Sequence, residues 1–241
     1  MKTKLIFPVA FLLNIGNAFS QGTFQNLNFE AANVAGYQPS STVPTALAFP
    51  SWQASVGANT ISEVGYDAQS TGAPVLSIVD NYPPYGLAPI QGNYSAWLES
   101  AVIGTESFSV TLSQAGFVPV GSESIQLDAN QAEGSSFIVT LGGQTINMVA
   151  LQSFANYTLY GGNVSAWAGQ SETLGITELP PSSEEFSPSV LQLDNITFST
   201  TSVPETDPFI LTGLGGTLCA LYRRLRRKRI GAERQEKARF N

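Results

Sequence analysis

The sequence has no histidine, a single cysteine, and no lysine or arginine anywhere from Gln21 to Asp207. Each absence closes off a chemistry. Without an imidazole, Ser–His and Cys–His nucleophilic catalysis has no base, and zinc sites of the usual kind lose a principal ligand. The one thiol, Cys219, lies in a C-terminal apolar run, so the stretch before it has no disulfide. Eukaryotic secreted domains of this size usually carry some, and their lack here favours a bacterial source. Lysine-based chemistry and arginine clamps are excluded from the same stretch by composition.

The acids are distributed the other way. Of the 18 Asp and Glu residues only Glu233 and Glu236 lie outside Gln21–Asp207, so that stretch carries 16 acids against no base. Such a surface repels phosphate backbones and anionic lipid, which excludes nucleic acid as a partner. It attracts divalent cations and admits neutral ligands. No Lys or Arg salt bridge is possible inside it, so apolar burial and hydrogen bonds must hold it together. Crowding the acids raises carboxylate pKa values above their unfolded values, and stability is expected to fall as pH rises through the carboxylate range.

What is present begins with the two ends. Lys2 and Lys4 precede an apolar run from Leu5 to Leu13, and Ala18-Phe-Ser20 stands before Gln21. A positive start, a short apolar run and small residues at the cleavage positions read as a secretory signal peptide over 1–20, removed by signal peptidase. At the other end an apolar segment, 208–222, runs directly into the basic cluster 223–229. As a helix it reaches only ~22 Å against ~30 Å of hydrocarbon, a gap that snorkelling arginines and local thinning close. The charge on one flank orients it with the tail in the cytoplasm and the domain outside.

Between the ends, residues 21–202 read as short strands separated by Gly, Pro, Ser and Asn. The expected strands are Phe24–Glu30, Ser51–Val56, Val75–Asp80, Tyr94–Ser100, Ser107–Ser113, Ser124–Ala129, Ser136–Leu141, Gln144–Leu151, Asn156–Tyr160, Glu172–Ile176 and Val190–Thr200. Phe108, Val110 and Leu112 alternate with Ser107, Ser109 and Thr111, the pattern of a half-buried antiparallel strand. Gly142-Gly143 reads as a two-residue hairpin turn, and Ala31–Pro50 as a long surface loop. Short strands at this spacing predict an all-β fold, an antiparallel β-sandwich or jelly roll. The full expectation adds a signal-peptide helix before it and a short transmembrane helix after it.

Val203-Pro204-Glu205-Thr206, then the short apolar segment, then the arginine cluster, resembles the PEP-CTERM sorting signal over the last 35 or so residues. Thr206 departs from the family's usual final proline. The resemblance implies processing by an exosortase in the cytoplasmic membrane of a Gram-negative bacterium and release to the cell surface or exopolysaccharide matrix. Asn26-Leu-Asn-Phe-Glu30, the Trp52 strand, Asn163-Val-Ser-Ala-Trp-Ala-Gly-Gln170 and Leu193-Asp-Asn-Ile196 resemble galactose-binding and carbohydrate-binding jelly rolls. In such modules calcium often ties the first strand to the last. The resemblance implies a structural calcium site at Glu30 and Asp194, with side-chain oxygens from Asn195 or Asn28, beside the alternative of two edge acids holding no metal.

Tyr82-Pro-Pro-Tyr85 is the most loop-like aromatic group, which makes Tyr82 and Tyr85 the candidate sugar-stacking rings, while Trp52, Trp97 and Trp167 read as core. Four Asn-x-Ser/Thr sequons, at Asn93, Asn156, Asn163 and Asn195, are chance products of a polar surface in a bacterium. Carboxylate-pair glycoside hydrolysis survives composition, since it needs only two acids across a cleft, but acids such as Glu184 and Glu185 are more simply solubilising. The chain is therefore read as a non-enzymatic exported protein that binds or structures exopolysaccharide. A purely structural surface component and a carboxylate-dependent glycosidase are the alternatives.

Overall fold

The computed structural model describes residues 23–70, 72–181 and 188–204, apart from the Tyr85 side chain. The expected signal peptide, Glu184, Glu185, Glu205, Thr206, the apolar segment 208–222 and the basic cluster lie outside the described residues. Among the described residues no helix is long and apolar enough to cross a membrane. The chain divides into two compact units, Met1–Ser202 and Val203–Asn241. In the second, the described Val203 is buried and Pro204 exposed.

Alternation of apolar and hydroxyl side chains builds the first unit from strands. In chain order these are β1 (Ser41–Pro44), β2 (Gln53–Val56), β3 (Asn59–Ile61), β4 (Glu63–Tyr66), β5 (Val75–Val79), β6 (Ser95–Ile103), β7 (Glu106–Phe108) and β8 (Val110–Phe117). There follow β9 (Ser124–Gln131), β10 (Ser136–Leu141), β11 (Gln144–Ile146), β12 (Val149–Ser153), β13 (Thr158–Asn163), β14 (Ser171–Leu179) and β15 (Ser189–Ser199). One helical turn, α1 (Thr45–Ala48), follows β1.

Two sheets result. The larger runs β1-β4-β5-β6-β15-β9-β13-β12, with β7 paired to β6; the smaller runs β11-β10-β14-β8-β2-β3. Inward residues of both, among them Leu98, Leu127, Leu191 and Leu193 from the larger and Leu112, Val139, Leu174 and Ile176 from the smaller, form one apolar core. This is an all-β sandwich, as the alternation predicts. The Gly142–Gly143 turn joins β10 to β11 with φ of 59° and 76°, the left-handed pair that a two-residue hairpin needs.

Several expectations need correction. Phe24–Glu30 is not a strand but an irregular segment, with left-handed backbone at Asn26 and Phe29. Its apolar side chains reach the core from turns: Phe29 packs on Phe49 and Trp52. The supposed loop Ala31–Pro50 contains β1 and α1. Gln144–Leu151 is broken at Asn147–Met148 into two strands, and β3 and β4 were not anticipated. The sandwich is not wholly antiparallel, because β4 and β5 run parallel, with Tyr66 beside Ile78. Trp52 is core, but Trp97 and Trp167 are only half-buried.

Candidate functional site

Two regions have the residues to do something besides fold. The first is the end of the sandwich where the β12–β13 hairpin turns. Its tip, Phe154-Ala-Asn-Tyr157, is closed by a hydrogen bond from the Phe154 N–H to the Tyr157 carbonyl at 2.8 Å. The two rings stack with centroids 4.5 Å apart and planes at 22°. Phe154 remains 42% exposed, a large apolar side chain left in water. Behind it the neighbouring strand β9 contributes Asn130 and Gln131, and together with Asn156 and Tyr160 they line an open groove of about 290 Å³. Tyr160 is fixed there by Phe137 at 5.3 Å, edge to face, and by donating its hydroxyl to Gln131 Oε1 at 3.1 Å. The lining is aromatic rings, amides and a threonine hydroxyl, with no ionisable acid or base beyond the tyrosine phenols.

The second region is an acidic corner on the outer side of the larger sheet. Residues 91–95 cross there and are held by carboxylates from three separate elements. Glu30 accepts from the Asn93 N–H and Asn93 Nδ2, both at 2.7 Å, and from the Tyr94 N–H at 3.1 Å. Asp194 of β15 accepts from the Gln91 N–H at 3.1 Å, the Ser95 hydroxyl at 2.8 Å and the Asn195 N–H at 2.7 Å. Asp128 of β9 accepts from Gln91 Nε2 at 2.6 Å and Asn195 Nδ2 at 3.2 Å. Asn195 reaches Asp128 because β15 bulges between Asp194 and Thr197, with Asn195 left-handed at φ 48°.

Electrostatics separates the three acids. Burial pushes Asp194 up to about 6 despite its hydrogen bonds, and the Glu30 charge adds to the rise. Asp128 is also raised by burial, against the bonds from Asn195 and Gln91. For Glu30 the same burial is outweighed by the Asn93 and Tyr94 donors, which hold its carboxyl below the usual range.

Glu30, Asp194 and Asn195, singled out in the sequence for calcium, therefore do meet at one corner, while Asn28 is exposed. The carboxylate oxygens of Glu30 and Asp194 face N–H and O–H donors of residues 91–95 and Asn195, and so clamp this stretch of chain. Among the described residues no group of three or more Asp, Glu, His or Cys side chains is placed to hold a metal ion.

Tyr82 is half-buried, its backbone bridged to Leu87, and it precedes a single 3₁₀ turn, Pro83–Tyr85. The Tyr85 side chain lies outside the described residues. The groove was missed in the sequence because Phe154 and Tyr157 were divided between a strand and a gap. The available signal was two aromatics bracketing Ala-Asn between strand-like runs, where a hairpin tip exposes whatever it carries.

No protein-family model and no curated protein matches the chain. Among solved structures it is similar to TmCBM61 in complex with β-1,4-galactotriose, at 14% identity and a TM-score of 0.43, covering 75% of this chain and 99% of that one. It is also similar to the enzymatically active domain of tailspike protein 4 of bacteriophage CBA120, at 9% identity and a TM-score of 0.39, covering 74% of this chain and 21% of that one. Neither likeness assigns a ligand to this chain.

Proposed function

We propose that the domain is a binding module for a neutral glycan, seated in the groove at the β12–β13 tip, and that it does not cleave what it binds. The observation that carries this reading is the exposed Phe154–Tyr157 stack beside an amide-lined groove with no carboxylate in its lining. A pyranose ring presents C–H groups on one face and hydroxyls around its rim. Aromatic rings take the first and amides the second.

Hydrolysis needs two carboxyl groups flanking an open cleft. The closely grouped acids Asp128 and Asp194 are instead buried at the acidic corner, 2% and 1% exposed. They support a structural role. Retention of the purified chain on a panel of soluble and insoluble polysaccharides tests the proposal. Saturable retention on a neutral polymer is expected, weakened about tenfold by Phe154→Ala, as loss of a stacking contact with its buried area implies. Tyr82→Ala and Tyr85→Ala are the comparison, and loss of binding in them alone would move the site to their turn. No retention on any polymer would leave a structural surface role, and released reducing sugar would mean a glycosidase.

The address read in the termini completes the proposal. Signal peptidase removes 1–20, an exosortase acts at Val203–Thr206, and the domain holds exopolysaccharide at the cell surface or in the matrix. Fractionation of an epitope-tagged chain in a Gram-negative host checks this. The tag is expected outside the cytoplasmic membrane, and a tag confined to the cytosol would sink the export reading without touching the groove.

A further inference from the structure

The parallel pairing of β4 and β5 brings their C-terminal ends side by side, so Asp67, just after β4, meets Asp80, just after β5. Asp67 is fully buried, 0% exposed, and left-handed at φ 46°. Its Oδ1 accepts the Asp80 N–H at 2.9 Å, and its own N–H goes to the Ile78 carbonyl at 3.0 Å. Its Oδ2 is buried with no donor, while the two side chains are in hydrogen-bonding contact. Asp80 in turn accepts the Tyr66 hydroxyl at 2.7 Å. A carboxylate oxygen with neither water nor donor is among the costliest groups to bury, and no lysine, arginine or histidine exists between Gln21 and Asp207 to neutralise it.

We propose that Asp67 and Asp80 hold one proton between them and that its loss releases the 67–80 corner, making this end of the larger sheet a pH-sensitive latch. The proton sits on Asp67 Oδ2 and is donated to an Asp80 carboxylate oxygen. That single assignment gives the orphaned oxygen a partner and leaves the pair one negative charge. On deprotonation the proton passes to water, and a second negative charge is left on the fully buried Asp67 beside the half-buried Asp80. Burial, set against the Asp80 N–H that favours the anion, pushes Asp67 up to about 7, and the Asp80 charge adds to the rise.

The other titratable groups around the pair are phenols and acids. Tyr66 ends β4; Tyr94, before β6, feels Asp80, Glu30 and Asp67, and both phenols are raised by burial and these charges. β1 and β5 present no titratable side chain. None of these groups offsets the second charge.

Amide hydrogen exchange on the full chain, from about pH 5.5 to 8.5 and corrected for the intrinsic rate, reads the latch at the Asp67 and Asp80 N–H groups. Their protection is expected to fall about tenfold for each unit from about pH 5.5 to about 7 and to level off above it. Asp67→Asn keeps a residue suited to left-handed backbone and supplies a permanent donor to Asp80, so its protection is expected to stay flat. Equal protection at all pH values in the wild type, or the same fall in Asp67→Asn, would overturn the proposal. Calcium that restores protection at high pH in the wild type alone would replace the proton by a metal and overturn it too. Carbon-13 titration of the wild-type carboxyls needs no variant: Asp67 is expected to titrate near neutrality, and titration below about pH 5 excludes the shared proton.

Discussion

Heated at about pH 5 and again at about pH 8.5, the protein is expected to unfold at a much lower temperature in the second case, and Glu178→Gln is expected to remove a large part of the difference. Glu178 lies on β14 in the inward column with Leu174 and Ile176 and is 0% exposed. It accepts the Ser189 hydroxyl and the Ser136 N–H, and Oε2 is left with no partner. Burial outweighs those two bonds and pushes its carboxyl up to about 8, from an ordinary 4.5. The folded state therefore keeps a proton that the unfolded chain gives up, and the stability this represents is complete below pH 4.5 and drains away as pH rises through about 8. At about 1.4 kcal/mol per unit the span is an upper bound of about 5 kcal/mol, a large share of a typical domain's total.

Glutamine has no proton to lose. At about pH 5 Glu178→Gln should be within about 1 kcal/mol of wild type, since both bury one neutral polar group; at about pH 8.5 it should be several kcal/mol more stable. Asp67 and Asp194 shift in the same direction, so a residual slope remains. Chemical denaturation of both proteins at the two pH values measures all four stabilities. A variant that follows the wild-type profile would mean that Glu178 ionises in place, with water or a cation reaching Oε2.

That such acids exist was legible in the sequence; where they sit was not. Composition gave a domain full of carboxylates and devoid of cations, hence the expected fall in stability with pH. Alternation located Ser136–Leu141 to the residue and most of β5, β9 and β15, because a half-buried strand must show one apolar face. The failures lie where a side chain reaches the core without a strand behind it. Phe24, Leu27 and Phe29 look like one apolar face, but left-handed turns at Asn26 and Phe29 deliver them. Strands β1, β3 and β4 have three or four residues each, too few for a period to declare itself.

Glu30 and Asp194 do share a corner, but the groups they hold there, Gln91 to Ser95, carry no signal in the sequence. Backbone N–H groups are the same in every residue, so a carboxylate that clamps a loop cannot be told from one that binds a metal until the loop is placed. Glu178 was hidden for a related reason. An acid in an inward position of a strand looks like an interruption of the pattern, and its alternation with Leu174 and Ile176 is visible only once the face is known.

The clamp on residues 91–95 sets the second large effect, through Gly92→Ala. Gly92 has φ 61°, where a side chain strains the backbone by about 1–2 kcal/mol. A Cβ there would also overlap Glu30 Oε1 and lie 2.7 Å from its Cδ. Glu30 is not the loose end of a flexible chain, because three N–H donors from Asn93 and Tyr94 fix it. Moving it breaks those bonds and leaves donors unmatched, at about 1–3 kcal/mol. The two costs add to about 2–5 kcal/mol, and at about 2–4 °C per kcal/mol for a domain of this size the melting temperature should drop by roughly 4–20 °C.

Gly86 is the control. Its φ is 65°, and a Cβ there meets nothing within 4 Å, so Gly86→Ala has only the backbone strain. The difference between the two variants isolates the collision with Glu30. In a Glu30→Ala background the collision is absent, and Gly92→Ala should then be no more damaging than Gly86→Ala, a coupling of about 1–3 kcal/mol across the double-mutant cycle. Equal damage from Gly92→Ala in both backgrounds would mean that the carboxylate yields freely and that Asp128 and Asp194 hold this loop without it.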